Sequence, residues 1–192
     1  MENDRPLIPI EDIKQRVIAA IVALYRYDGY LLVNDVNERS ITHKLAEYLQ
    51  QEFPNWNVDC EYNRLNGNTK KLRAVFDKYK KHFLTDEKRI FEDRVARTVY
   101  PDIIIHKRGS HENLVVIEVK KSGGGPLKPD VKKLKAFTDD AEYKYFIGLL
   151  LILDSETQAS IQVIQHGAKR AAESERWTEQ LVSDLGVLGH GG

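Results

Sequence analysis

The sequence of 192 residues contains a single cysteine, Cys60, so it cannot form an internal disulfide or a cysteine-rich zinc site. It also has no excess of either charge, because 29 lysine and arginine residues balance 29 aspartate and glutamate residues. The net charge therefore neither indicates nor excludes a polyanionic partner. A lone cysteine is typical of reducing, intracellular compartments, and we predict a cytoplasmic location.

Long hydrophobic runs are missing as well. The longest one, YFIGLLLIL at residues 145–153, is about half as long as a membrane-spanning helix needs to be. The first residues, MENDRPLIPIED, are acidic and lack the basic and then apolar pattern of a secretory signal. We therefore expect a soluble protein without a membrane partner, and the hydrophobic content of 42% is sufficient for the core of one globular domain.

Hydrophobic periodicity predicts helices and strands along most of the chain. Helices are expected at about residues 11–27, 36–53, 129–141 and 168–185. Strands are expected at about residues 56–64, 102–106, 113–119, 145–153 and 159–165. A charged segment between Lys70 and Thr98 is predicted to be helical or partly irregular.

Apolar strands that are interleaved with amphipathic helices predict an α/β fold. We expect three layers, α/β/α, with a central mixed β-sheet that is covered by helices on both faces. The whole chain, residues 1–192, is predicted to form a single domain with a core at about 36–153. The helices at about 11–27 and 168–185 are expected to pack on this core.

Charged residues interrupt a predicted hairpin at residues 100–122, YPDIIIHKRGSHENLVVIEVKKS. Its two apolar strands are joined by a short polar turn, which predicts antiparallel pairing. Asp102 begins the first strand, and Glu118 and Lys120 lie on one face near the end of the second, because side chains alternate along a strand.

The predicted pairing places Asp102 across from a position close to Glu118. Two carboxylates at that range repel each other unless a cation lies between them. Mg²⁺ or Mn²⁺, which prefer oxygen ligands, would be the simplest such cation. The alternative is a solvated sheet edge at which Lys120 forms an ordinary cross-strand ion pair with Asp102.

An acid followed two residues later by lysine is common in this chain and is not specific by itself. The same spacing occurs at Asp12 and Lys14, Asp86 and Lys88, Asp130 and Lys132, and Glu142 and Lys144. The buried strand, together with Asp102 and the inward Glu38, distinguishes Glu118 and Lys120 from these pairs.

Glu38 is a further candidate, because it falls on the apolar side of its predicted helix together with Ile41 and Leu45, whereas Glu47 lies on the far side. A glutamate on a buried face needs a partner. The alternative is a capping box in which Asp35 caps the helix and Glu38 reaches back to its start.

YPD at residues 100–102 together with EVK at 118–120 resembles the PD-(D/E)xK nuclease superfamily, which has the restriction-endonuclease-like fold. The resemblance is close over residues 100–122, and the predicted element order agrees with that fold from the second helix to about residue 153. It implies that Asp102 and Glu118 are metal ligands, with the main-chain carbonyl of Val119 as a third ligand. Glu38 would bind the ion directly or through water, and Lys120 would orient or deprotonate the attacking water.

The function implied by this resemblance is that of a nuclease that uses Mg²⁺ or Mn²⁺ to hydrolyse phosphodiester bonds, with DNA as the expected substrate. It would act alone, as a homodimer, or as a component of a larger repair, restriction or defence system. One alternative is a catalytically silent domain of the same fold that binds nucleic acid or a protein partner. Another is an ordinary α/β interaction domain whose hairpin happens to carry the motif.

Three lysines of the helix at about 129–141 have a less specific pattern. Lys132, Lys133 and Lys135 are expected mostly on its outer side, where they would be solvated or would border a substrate groove. His106 and His111 flank the hairpin turn, but further nitrogen or sulfur ligands for zinc are not evident near them in the sequence. Trp177 on the last predicted helix is interpreted as a core residue or a dimer contact and not as a platform for base stacking.

Overall fold

The computed structural model describes residues 8–34, 36–61, 101–139, 143–155 and 158–188, together with the backbone of residues 64–65 and 68–69. These residues contain five helices: α1 (Ile10–Asp28), α2 (Tyr30–Val33), α3 (Glu38–Glu52), α4 (Lys128–Asp139) and α5 (Ala171–Leu188). They also contain eight strands: β1 (Asn57–Cys60), β2 (Arg64–Leu65), β3 (Asn68–Thr69), β4 (Ile103–His106), β5 (Asn113–Lys121), β6 (Ile147–Leu153), β7 (Ser160–Gln165) and β8 (Ala168–Lys169). The charged segment between Lys70 and Thr98 lies outside the described residues.

Six strands form one open sheet in the order β1, β4, β5, β6, β7, β8, and β2 pairs with β3 separately. Strand β5 is parallel to β6, whereas every other neighbouring pair in the six-stranded sheet is antiparallel. The predicted α/β class and the mixed sheet are therefore confirmed.

The predicted hairpin is formed by β4 and β5. Its strands are antiparallel, and Ile103 pairs with Ile117. Asp102 directly precedes β4. If the same antiparallel pairing is extended by one residue, Asp102 lies opposite Glu118. The two acids that the sequence predicted to meet are therefore held on adjacent strands.

Hydrophobic residues fill both faces of the sheet because successive side chains of each strand point to opposite sides. Ile103 and Ile105 of β4 belong to a large core that also contains buried residues of α1, α3 and α5. Ile104 and Val116 belong to a second core beneath α4. Helices therefore cover both faces, and α1 and α5 pack on the larger core as expected. Trp177 of α5 is buried in it, which confirms its interpretation as a core residue.

Helix α4 lies unusually close to the sheet at Gly148 of β6. A Cβ atom at this position would be 3.2 Å from Cγ2 of Thr138 and 3.4 Å from Cβ of Leu134. Both distances are at or below ordinary van der Waals contact between carbon atoms. Glycine at this position therefore sets how near α4 lies to the sheet.

The start of one predicted helix differs from the structure. The last helix begins at Ala171 and not near residue 168, because Ala168 and Lys169 form the short strand β8 against β7. His166 and Gly167 make the turn between these strands with φ angles of 48° and 68°, a conformation that suits a tight hairpin.

The outer edge of β7 is covered over most of its length by α5. The backbone N–H of Ile161 donates to Oγ1 of Thr178 at 3.0 Å, and that of Val163 donates to Oγ of Ser174 at 2.9 Å. Two hydroxyl groups of a helix therefore satisfy donors that an open sheet edge would present to another strand.

Candidate active site

The predicted site residues come from three separate parts of the fold and meet at one end of the β4–β5 hairpin. Nζ of Lys120 donates to Oε1 of Glu38 at 2.7 Å, although the two residues are 82 positions apart. The backbone N–H of Val119 donates to Oδ2 of Asp102 at 2.8 Å. Glu38 therefore faces the hairpin, as the helix periodicity predicted.

The capping-box alternative for Glu38 is wrong. Helix α3 begins at Glu38, and its N-cap is Asn37, whose side chain accepts a hydrogen bond from the backbone N–H of Ser40. Asn37 therefore caps the helix, and the carboxylate of Glu38 accepts a hydrogen bond from Lys120. Asp35 lies outside the described residues.

Lys120 forms its ion pair with Glu38, so the alternative of a cross-strand pair with Asp102 is also wrong. Its Nζ is in addition 3.9 Å from Oδ2 of Asp130 on α4. Desolvation lowers the pKa of Lys120, but the hydrogen bond to Glu38 and the charges of Asp130 and Asp102 outweigh desolvation and raise it. In this arrangement Lys120 is a charged ammonium group.

Glu118 is the most deeply buried charged residue of the site, with a side chain that is 1% exposed. Its Oε2 accepts a hydrogen bond of 2.6 Å from Nζ of Lys133, whereas its Oε1 is buried without a hydrogen-bond partner in the described part of the chain. Burial raises the pKa of Glu118 well above its ordinary value, and the charges of Asp102 and Asp130 add to this effect. The ammonium group of Lys133 acts in the opposite direction.

Asp102 shares this environment. Burial raises its pKa, and the negative charge of Glu38 contributes, while the hydrogen bond from Val119 and the charges of Lys133 and Lys120 oppose the increase. Raised pKa values at two adjacent carboxylates indicate that the lysines near them only partly offset burial.

Two residues of α4 belong to the same cluster and were not predicted. Lys133, which was expected on the outer side of its helix, has a side chain that is only 15% exposed and reaches Glu118. Asp130 is buried between the two lysines, 3.9 Å from Nζ of Lys120 and 3.9 Å from Nζ of Lys133. Lys132 and Lys135 are exposed, as predicted.

A signal for these two residues is present in the sequence. Asp130 and Lys133 precede the core residues Leu134 and Phe137 by four positions each, which is the spacing of one helical face. Applied to this helix, the periodicity places Asp130 and Lys133 on the side that faces the core, although it does not show that Lys133 reaches Glu118.

The formal charges of the cluster do not balance. Among the described residues, the cluster contains four carboxylates, those of Glu38, Asp102, Glu118 and Asp130. Two ammonium groups of the described residues, those of Lys120 and Lys133, contact them, which leaves an excess of two negative charges. A divalent cation has the charge that would neutralise the difference. In the ranges that the structure describes, however, no three histidine, cysteine, aspartate or glutamate side chains are grouped as a metal site requires.

A second polar cluster lies at the other end of β4. His106 is buried and its Nε2 is 2.8 Å from Oδ2 of Asp59 on β1, and the guanidinium group of Arg108 also contacts Asp59. Burial raises the pKa of Asp59, but the hydrogen bonds from Arg108 and His106 outweigh burial and lower it. These contacts attach the edge strand β1 to the hairpin.

Cys60, the single cysteine, is half-buried on β1. Burial raises the pKa of its thiol to about 11, so it is protonated at neutral pH. A thiol in this state is a poor nucleophile.

Compared with known protein families, with curated proteins and with solved structures, the chain matches none of them. Of the helices in the described ranges, none has both the length and the hydrophobicity needed to cross a bilayer.

Proposed function

We propose that the chain is a metal-dependent nuclease with a restriction-endonuclease-like core, and that it hydrolyses phosphodiester bonds of nucleic acid, with DNA as the first substrate to test. The observation that carries this proposal is the convergence of Glu38, Asp102, Glu118 and Lys120 at one end of the hairpin. Motif residues that matched by chance would have no reason to meet with a glutamate from a distant helix.

The donor atoms of the site are compatible with a divalent ion. Asp102, Glu118 and the main-chain carbonyl of Val119 would hold it, and Glu38 would bind it directly or through water. Oxygen ligands of this kind suit Mg²⁺ or Mn²⁺. The fit is supported by the buried Oε1 of Glu118, which has no hydrogen-bond partner among the described residues. When bound, such an ion lowers the pKa of water towards neutrality and screens charge on phosphate oxygens.

The residues of the chain itself would bind and orient the reactants. The ammonium group of Lys120 would donate to a phosphate oxygen and orient the attacking water, while Glu38 positions that ammonium through its hydrogen bond of 2.7 Å. Because these side chains are attached to a helix and a sheet, their geometry would be held before the substrate arrives.

A catalytically silent domain that binds nucleic acid or a protein partner is the second candidate function. It is favoured by the lysine at Glu118, since Nζ of Lys133 already occupies one oxygen that a metal would need. The described part of the chain also contains no group of three histidine, cysteine, aspartate or glutamate side chains that could hold a metal ion, which likewise favours a silent domain.

The decisive experiment is a cleavage assay of the full chain on single-stranded, duplex and branched DNA and on RNA, with Mg²⁺, Mn²⁺ or EDTA. We expect cleavage with a metal ion and none with EDTA. Lys120→Ala and Asp102→Ala should each reduce the rate at least about 100-fold, because each removes a group that acts on the reacting phosphate. The matched control is Lys44→Ala, which removes an exposed lysine paired with Glu47 on α3 and should leave the rate unchanged.

Cleavage that survives both substitutions would contradict the proposal. Binding of nucleic acid without cleavage under every metal condition would favour the silent domain. Cleavage of RNA but not of DNA would support the proposed nuclease activity and show that its substrate is RNA.

We further propose that the protein acts in the cytoplasm, either alone, as a homodimer, or as a component of a larger repair, restriction or defence system. The lone cysteine supports a reducing compartment. Light scattering after size-exclusion chromatography would distinguish a monomer from a dimer.

A further inference from the structure

Lys133 holds a position at Glu118 that a metal ion would also use. Its Nζ is 2.6 Å from Oε2 of Glu118, and both side chains are largely buried, with 15% and 1% exposed. A charged hydrogen bond of this length in a buried setting is stronger than a neutral one. The lysine therefore supplies the positive charge that buried Glu118 requires in the metal-free chain.

A divalent ion at the same carboxylate would bring a second cation next to Lys133. Like charges repel strongly where water is excluded, so the ammonium group and the ion cannot both be favourable neighbours of Glu118. The side chain of lysine is long and has several rotatable bonds, so Nζ can move while α4 stays in place.

The structure contains an acceptor for the displaced ammonium group. Oδ1 of Asp130 is 3.9 Å from Nζ of Lys133, one helical turn before it on α4. Asp130 is buried and contacts both lysines of the cluster, so a short movement of Lys133 from Glu118 towards Asp130 would keep the ammonium group paired.

We propose that Lys133 is an internal counter-ion of Glu118 that a divalent metal ion has to displace, with Asp130 receiving the displaced ammonium group. This inference rests on the proposed function, because it presumes that Glu118 binds the ion. Lys133 thereby sets the metal concentration at which the site fills. In the absence of metal it keeps the buried carboxylate paired.

The inference is tested by the affinity of the full chain for Mn²⁺, measured by isothermal titration calorimetry. Lys133→Met removes the competing charge and keeps a long apolar side chain, so we expect Mn²⁺ to bind at least tenfold more tightly than to the wild type. Lys132→Met is the matched control, because Lys132 is the exposed neighbour on the same helix, and its affinity should equal that of the wild type. An affinity of Lys133→Met equal to or weaker than that of the wild type would overturn the inference.

Lys133→Arg provides an independent test with a variant that keeps the positive charge. A guanidinium group can hold a carboxylate with two hydrogen bonds and is displaced less easily, so we expect weaker Mn²⁺ binding than in the wild type. Tighter binding would contradict the inference.

Thermal unfolding gives a second readout. Mn²⁺ should raise the unfolding temperature of Lys133→Met by more than it raises that of the wild type, since a tighter ligand stabilises more. An equal or smaller rise would count against the inference.

Failure of this inference can be told apart from failure of the proposed function. A wild-type chain that binds Mn²⁺ and cleaves, with a Lys133→Met variant that binds no more tightly, would overturn only the role of Lys133. A wild-type chain that neither binds Mn²⁺ nor cleaves would overturn both.

Discussion

Glu118 is held in an environment that disfavours its charge. Its side chain is buried against α4, two other acids lie near it, and Lys133 donates a hydrogen bond to it. A carboxylate in such a place takes up a proton more readily than it would in water. The protonation of this one residue is therefore coupled to folding.

We predict that the metal-free protein becomes more stable as the pH is lowered from 7 towards 5. The folded pKa of Glu118 is raised well above the ordinary value of 4.5, so between these two values the folded chain binds more protons than the unfolded chain. The contribution of Glu118 is therefore fully present below pH 4.5 and is lost as the pH rises through the folded pKa. The raised pKa of Asp102 acts in the same direction.

The measurement is the free energy of unfolding in urea with EDTA at several pH values. Glu118→Gln cannot titrate, so its stability should increase less than that of the wild type over the same interval. Glu47→Gln, an exposed glutamate on α3, serves as the control and should follow the wild type. Identical pH dependence in the wild type and Glu118→Gln would contradict the prediction.

At the scale of the elements, helix α4 contributes two charged residues to the site. It carries both Asp130 and Lys133, and its distance from the sheet is set where Thr138 and Leu134 pack on Gly148. A shift of the helix by a fraction of an ångström would move both charged side chains relative to β5.

We predict that Gly148→Val destabilises the protein by about 1–3 kcal/mol, because the new side chain would overlap Thr138 and Leu134. Under the proposed function it should also reduce cleavage, since α4 would move away from Glu118. Urea unfolding measures the first effect and the nuclease assay the second.

The control is Gly186→Ala on α5, where an added Cβ atom meets nothing within 4 Å. Alanine is the better helix former at such a position and should stabilise the protein by roughly 0.5–1 kcal/mol. If Gly148→Val were as stable as the wild type, the close packing of α4 would not limit the fold.

The hairpin and the position of Glu38 could be predicted because each depends on a local repeat. Continuous apolar runs and a short turn defined β4 and β5, and helical spacing placed Glu38 on the inner side of α3. The strand β8 was missed because two residues carry too little pattern to distinguish a strand from the start of a helix.

The role of Lys133 could not be read from the sequence in the same direct way. A lysine side chain is long enough to leave the face from which it starts, so its position on a helix does not fix where its ammonium group lies. The ammonium group of Lys133 is held by the buried carboxylate of Glu118 on β5, which is 15 residues earlier in the chain. Contacts of this kind become visible only when the elements are packed together.

At the scale of the whole molecule, the open sheet has two edges that need protection from other chains. The edge near the C-terminus is covered by α5, because Thr178 and Ser174 accept the N–H groups of Ile161 and Val163. The side chain of Thr178 also donates back to the carbonyl of Ile161 at 3.3 Å. The described part of β7 is therefore poorly suited to pairing with a second copy.

We predict that Thr178→Val destabilises the protein by about 1–3 kcal/mol, because valine keeps the shape of threonine but leaves the N–H of Ile161 without its acceptor. The edge of β7 would then be held less firmly by α5, so self-association of the chain should increase. Size-exclusion chromatography with light scattering would detect this increase. Thr178→Ser retains the hydroxyl group and is expected to stay close to the wild type. Equal stability of the valine and serine variants would show that the hydrogen bond is unimportant.

The contact between Lys120 and Glu38, 82 residues apart, also has a consequence for how the protein is made. Ribosomes synthesise a chain from its N-terminus, so Glu38 leaves the ribosome long before the helix that carries Asp130 and Lys133. A nascent chain that lacks α4 and β6 cannot assemble the cluster. If the protein is a nuclease, its active site could thus assemble only after α4 and β6 have been synthesised.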